Sequence, residues 1–211
     1  DFSATVENSV TESVDILAIS RKWASLPDKK VYLLGEGEKI IGILDELRVN
    51  FERPANDSGS NLQDFDAIIV AGQVGKTVPK DTEMALEKYV REGGRVIVLA
   101  QSTKFTLLAS DYVVNPPPEP WLTPFTFAPP NDLMKGFKSG LLGFRLVGLY
   151  PRYVLTELSE DHEALCCVNV ASQQRKFMGV SLARRIIGKG ELILCQFDLS
   201  EKSNPMALLA V

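Results

Sequence analysis

Histidine, cysteine and tryptophan are scarce in this chain: one, three and two in 211 residues. A lone histidine, His162, rules out His-x-x-x-His and paired Cys/His zinc ligation, and it leaves at most one imidazole for general-base work. Cys166, Cys167 and Cys195 are odd in number, and their spacing fits neither a zinc site nor a disulfide framework, so buried free thiols are expected. The longest apolar runs reach about six residues, against the roughly 20 that a membrane-spanning helix needs. No signal-peptide pattern is present. Basic clusters are sparse, the net charge is −4 and the pI is near 5.2, which argues against a nucleic-acid partner. The densest basic group, Arg184-Arg185 with Lys189, is followed by Glu191 and reads as a solvated hairpin. No cofactor is implied.

What the chain does have is 45% hydrophobic residues, enough for a real core. Val31–Leu34, Asp66–Val70 and Arg95–Ala100 are short continuous apolar runs, as buried parallel strands are. Between them lie two helical stripes. Ile40, Leu44, Leu47 and Phe51 form one; Met84, Ala85, Tyr89 and Val90 form the other, which Asp81 or Thr82 caps and Gly93-Gly94 ends. Strand–helix–strand–helix–strand with short connections predicts right-handed crossovers and a parallel sheet covered on both faces. The capping box Ser9-Val10-Thr11-Glu12, with Ile16, Ile19, Trp23 and Leu26 behind it, predicts an N-terminal helical segment within residues 1–28. Residues 111–145 form a proline- and aromatic-rich insertion carrying Trp121, Phe125 and Phe127. Leu146–Tyr150 and Ala164–Val170 are strand-like, and Lys176–Leu182 with Glu191–Phe197 flank Gly188-Lys189-Gly190 as an antiparallel hairpin. The start at Asp1 and the apolar stretch Met206–Val211 after Asn204-Pro205 predict a single α/β domain cut from a longer polypeptide.

Candidate chemistry is thin. Gly35-Glu36-Gly37 follows a strand and opens a helix, but the third glycine of a dinucleotide fingerprint would fall at Ile40, and Glu36 and Glu38 would repel a pyrophosphate. A structural turn is the better reading. Gly72-Gln73-Val74-Gly75-Lys76-Thr77 has two residues between its glycines where a P-loop has four. His162 lies in an acidic stretch with Glu160, Asp161 and Glu163, so a solvated or structural role is favoured over catalysis. Ligands of open parallel sheets bind outside the strands' carboxyl ends, which gathers Glu36, Gln73, Gln101, Ser102 and Asp198 as ligand-site candidates. Ser102 and His162 are the candidate catalytic pair. Trp121, Phe125 and Phe127 could stack on a sugar ring, with burial in the domain's own core as the alternative.

Val31–Gly35, Asp66–Gly72, the helix Thr82–Glu92 and Gly93–Leu99 resemble the class I glutamine amidotransferase-like fold, a three-layer α/β sandwich with a flavodoxin-like, mostly parallel sheet. Gly188–Leu199 followed by Asn204-Pro205 is similar to the closing portion of such domains at the C-terminus of bacterial family 2-type glycoside hydrolases, the β-galactosidases and β-glucuronidases. The resemblance implies an amidotransferase nucleophile, a cysteine in a glycine-flanked elbow after the third strand, and a later His-x-Glu pair. This chain has Ala100-Gln101-Ser102-Thr103-Lys104 in the first place and His162-Glu163 in the second, so no catalytic residue carries over. The expectation is therefore a non-catalytic accessory domain of a carbohydrate-active enzyme. Its partners would be other domains of the same polypeptide, carbohydrate, or a second copy of the chain, and its location periplasmic or secreted if the parent is such a hydrolase. A small-molecule hydrolase or amidotransferase-like enzyme using the strand-end crevice, and a carbohydrate-binding module centred on Trp121, are the alternatives.

Overall fold

In the computed structural model the described residues are 2–5, 11–14, 28–35, 37–53, 61–72, 80–104, 111–116, 125–127, 151–171 and 176–197. They form twelve strands and two α-helices. In chain order these are β1 (Phe2–Thr5), β2 (Thr11–Val14), β3 (Lys30–Leu34), α1 (Glu38–Glu46), β4 (Asn50–Glu52), β5 (Ala67–Val70), α2 (Lys80–Arg91), β6 (Arg95–Leu99), β7 (Val113–Asn115), β8 (Phe125–Phe127), β9 (Val154–Thr156), β10 (His162–Ala171), β11 (Lys176–Ile187) and β12 (Gly190–Cys195). A short 3-10 turn, Leu62–Asp64, precedes β5.

Ten of the strands share one sheet in the order β4-β3-β5-β6-β12-β11-β10-β8, with β9 joining β11 and β7 joining β9. The first five of that path are parallel and the rest antiparallel. The parallel part has the flavodoxin strand order, so its topological switch point lies between β3 and β5. Alternate residues of each buried strand serve opposite faces. Leu33, Ile69, Ile193 and Cys195 pack with Ile40, Ile43 and Leu44 of α1. Tyr32, Leu34, Ile68, Val70, Val96, Val98, Leu192 and Leu194 pack with Leu86, Tyr89 and Val90 of α2. The sheet is thus the middle of three layers, and the α/β class and the antiparallel C-terminal hairpin stand as expected, in a mixed sheet whose parallel half is flavodoxin-like.

Three boundaries differ from expectation. The capping-box helix is absent over residues 11–14, which pair antiparallel with residues 2–5 from Phe2↔Val14 to Thr5↔Thr11. A cap contributes only about 1 kcal/mol, and β-branched Thr11 and Val14 suit an extended pair. Ile16 to Leu26 lie outside the described residues, as does the strand expected at Leu146–Tyr150. The α1 stripe ends early: Arg48 takes a left-handed φ of 58° and Phe51 enters edge strand β4, so Leu47 is the C-cap and Phe51 lies beyond the helix. Finally α2 begins at Lys80, placing Asp81 and Glu83 in its first turn, where they complement the helix dipole. Within the proline-rich insertion, β7 and β8 are strands, and β8 forms the outer edge beside β10.

The hairpin tip between β11 and β12 is keyed into the end of α2. Lys189 N–H donates to Arg91 O at 3.1 Å and Glu191 N–H to Gly94 O at 3.1 Å. The approach is so close that a Cβ on Gly190 would overlap the carbonyl oxygens of Gly94 and Val90, and one on Gly94 would overlap the Tyr89 ring. Tyr89 is itself tied down, its hydroxyl donating to Phe65 O at 3.1 Å. Gly190→Ala is expected to lower stability by about 2–3 kcal/mol through overpacking against rigid backbone. Exposed Lys189→Ala should stay within about 0.5 kcal/mol of the parent. Urea unfolding of the two variants separates the outcomes.

Candidate functional site

Two polar places emerge from this scaffold, at opposite ends of the sheet. At the carboxyl edge, Gly35 (φ 90°) closes β3 and Gly72 (φ 72°) follows β5, both in the left-handed region that favours glycine. Gly37 caps α1 without a side chain, and a Cβ there would press on Ile40 and on Ala71 Cβ at 2.8 Å. Ile40, where a dinucleotide fingerprint has its third glycine, is buried core. The Gly-x-Gly turn therefore serves close packing of α1 against the end of β5.

Two polar side chains at this edge are each 1% exposed: Gln196 after β12, whose Oε1 has no hydrogen-bond partner among the described residues, and Gln101 after β6. Gln101 Nε2 donates to Leu99 O at 2.8 Å and also to Gly72 O. The amide thereby bridges the end of β6 to the loop leaving β5. Ser102, next in the chain, is exposed. Glu36, Gln73 and Asp198 directly follow the described strand ends in sequence but lie outside the described residues, and so does Trp121.

The second place surrounds His162. Its imidazole is fully buried (0%) at the start of β10. Ser159 Oγ lies 2.9 Å from Nδ1 and also bonds Asp161 Oδ1, which is 3.2 Å from the same ring nitrogen. Arg185 of β11, the register partner of His162, holds the other oxygen of Asp161. The tight turn is closed by His162 N–H donating to Ser159 O at 3.0 Å, and Tyr112 packs edge-on to the ring at 6.3 Å. The bonds from Ser159 and Arg185 hold the Asp161 carboxyl below the usual carboxylate range. Burial pushes His162 down from its ordinary value, with the Arg185 charge in the same direction, against the opposing pull of Asp161.

Ser102 and His162 belong to different neighbourhoods. Register runs from His162 to Arg185, to Leu192, to Val96, so His162 is level with the amino-terminal half of β6 and three strands away, roughly 14 Å at ~4.8 Å per strand. Ser102 lies beyond the opposite end of β6, where Gln101 leans toward β5. The hydroxyl beside the imidazole is that of Ser159, which sequence reasoning passed over. The signal was there: serine three residues before the histidine, with aspartate between, is a side-chain-to-backbone turn pattern. The arrangement is not a catalytic triad. In a triad the carboxylate orients one ring nitrogen and the nucleophile meets the other. Here serine and aspartate crowd the same nitrogen, and Nε2 is sealed without a partner.

The thiols are equally unsuited to attack. Burial pushes Cys166 up to about 12 and Cys195 up to about 11, and raises half-buried Cys167. No group of three His, Cys, Asp or Glu among the described residues is placed to hold a metal ion, and no described helix is long and apolar enough to cross a membrane.

No protein-family model matches the chain, and no curated protein matches it in sequence. Solved structures do match in shape. A GMP synthase component from Thermoplasma acidophilum superposes with a TM-score of 0.54 at 15% identity, over 86% of this chain and 89% of that one. The carbohydrate deacetylase Agd3 gives 0.58 at 12% identity, over 81% of this chain but 29% of its own. The cold-adapted β-galactosidase of Rahnella sp. R3 gives 0.52 at 12%, over 86% and 30%. At these identities the likeness establishes a shared flavodoxin-like, amidotransferase-type fold, found both as a whole protein and as about a third of longer sugar-active chains.

Two outcomes follow from this geometry. Gln101→Ala leaves two carbonyls short of a donor and is expected to cost about 1–3 kcal/mol in chemical denaturation, and Gln101→Glu more, because its carboxylate would face those carbonyl oxygens. In the native protein at pH 8, Cys166 and Cys195 should resist a disulfide reagent, with slow labelling confined to Cys167; all three should react in denaturant.

Proposed function

We propose that this domain is an accessory, non-catalytic part of a larger carbohydrate-active enzyme, and that its partners are the other domains of that polypeptide. The observation that carries the reading is the Gln101 brace. In Ala100–Lys104 after β6, the stretch that the resemblance sets against the amidotransferase nucleophile elbow, this chain buries a neutral amide and uses both of its N–H groups to tie β6 to the end of β5. A side chain already bonded to two backbone carbonyls stabilises the edge and offers no nucleophile to a substrate. The buried thiols and the one-sided contacts of His162 support the same reading, since neither supplies an activated nucleophile with an oriented base.

The sugar-active neighbours give the reading its context. In the deacetylase and the β-galactosidase, the matched region is a minor share of a long chain, as an accessory domain would be.

The test is direct. The purified chain should release no product above buffer from p-nitrophenyl acetate, p-nitrophenyl β-galactoside, p-nitrophenyl β-glucuronide or glutamine. Turnover that disappears in Ser102→Ala or His162→Ala would overturn the proposal in favour of a hydrolase built on those residues. Within the parent polypeptide, Gln101→Glu should lower the melting temperature and leave kcat/KM per folded molecule unchanged.

A further inference from the structure

Two buried side-chain atoms lack a hydrogen-bond partner among the described residues, Gln196 Oε1 and the far ring nitrogen of His162, and of the two only the imidazole titrates near neutral pH. That nitrogen, Nε2, is closed off from solvent. This holds whichever tautomer is present. Ser159 Oγ donates its one proton to Asp161 Oδ1, so Nδ1–H donates to Ser159 Oγ and Nε2 carries a bare lone pair. In the other tautomer Nε2–H is a donor with no acceptor. The neutral ring tolerates this; the cation does not. A proton arriving from solvent at Nε2 creates a buried N–H with no acceptor among the described residues, on a ring that now carries a full positive charge.

The surroundings tie this ring to a second segment. Tyr112 packs on it, Asp111 O accepts from Ser159 N–H at 3.1 Å, and Lys104 pairs with Asp111 at 2.9 Å while lying 5.8 Å from the Tyr112 ring centre. Directly beyond Tyr112, β7 pairs with β9. The charged groups around His162 are therefore Asp161 in its own turn, Arg185 on β11, and the Lys104–Asp111 pair behind Tyr112. Among the described residues Asp161 is the one anion in contact with the ring, and Arg185 already holds its other oxygen.

We propose that the 159–162 turn is an acid-opened latch: protonation of His162 requires the imidazole to leave its packed site, which releases the Asp111–Asn115 segment from the turn. The sign follows from linkage. The ring's affinity for protons is lower in the closed state than in the open one, so the open state binds more protons as pH falls. Closure is therefore fully favoured above about 6.5, the ordinary histidine value, and is lost as pH falls below it, until the closed-state ring also titrates.

The lone histidine makes the test clean, because every imidazole NMR signal belongs to it. Two readouts are expected over pH 7.5 to 5. The ring should titrate below 6.5. Amide protection of residues 111–115 and 159–162, corrected for intrinsic exchange, should fall by up to about tenfold per pH unit, the limit for uptake of one proton. Protection in α2 should hold steady. His162→Gln should remove the pH dependence of residues 111–115. Should that variant fail to fold, the titration and exchange of the unaltered chain decide alone. A ring that titrates at or above 6.5, protection that does not change with pH, or an equal change in His162→Gln would each overturn the latch.

Discussion

The pairing of β12 is the constraint on which the rest of the sheet depends. On one side it is parallel to β6 in a five-residue register from Glu191↔Arg95 to Cys195↔Leu99. On the other it is antiparallel to β11. The flavodoxin-like half and the antiparallel half therefore meet on this strand. Hydrophobic patterning alone cannot fix its register, because both faces are buried and Leu192, Ile193, Leu194 and Cys195 are all apolar. What fixes it is local to its first two residues. Gly190 has room for no side chain against Val90 and Gly94, and Glu191 pairs with Arg95 directly opposite. Glu191 also lies 4.0 Å from Arg184, which pairs with Glu163 at 2.7 Å, so a row of alternating charge crosses β6, β12, β11 and β10. A slip of one residue would break that row and drive a side chain into the end of α2.

That register also decides what chemistry the molecule can assemble. It fixes β10 three strands from β6, with its first residue level with the amino-terminal half of β6. The lone imidazole thus sits far from the carboxyl edge, where ligands of such sheets bind. The edge itself is drawn together by Gln101, and Gly37 is occupied with close packing between α1 and the end of β5.

Much of this was legible in the sequence. The apolar runs at 31–34, 66–70 and 95–100 announced the parallel strands because a strand buried on both faces needs no polar alternation. The glycine-turned hairpin at 188–190 announced the antiparallel half. What escaped reading was decided by tertiary contact. Phe51 continues the helical stripe of α1, yet Arg48 turns the chain and edge strand β4 takes it. Thr11 and Val14 pair with a neighbouring strand despite the capping signal before them. At the sites, Gln101 and Ser102 are neighbours of similar polarity, and no spacing rule distinguishes the buried brace from the exposed hydroxyl. The Ser159–His162 contact was within reach of local turn chemistry. The burial of that ring under Tyr112, fifty positions earlier in the chain, was not.

The isolation of Nε2 connects two properties of His162 that look separate. A general base must end the proton transfer as a cation, and efficient enzymes meet that charge with an acceptor on the nitrogen away from the nucleophile. Here the nitrogen near serine is crowded by the carboxylate, and the far one is buried without a hydrogen-bond partner among the described residues. The cation is therefore costly in the closed structure wherever the proton comes from, a serine hydroxyl or the solvent. The same burial that disqualifies the residue as a base makes its neutral form a condition of closure, so poor base chemistry and sensitivity to acid are two consequences of one unsatisfied atom.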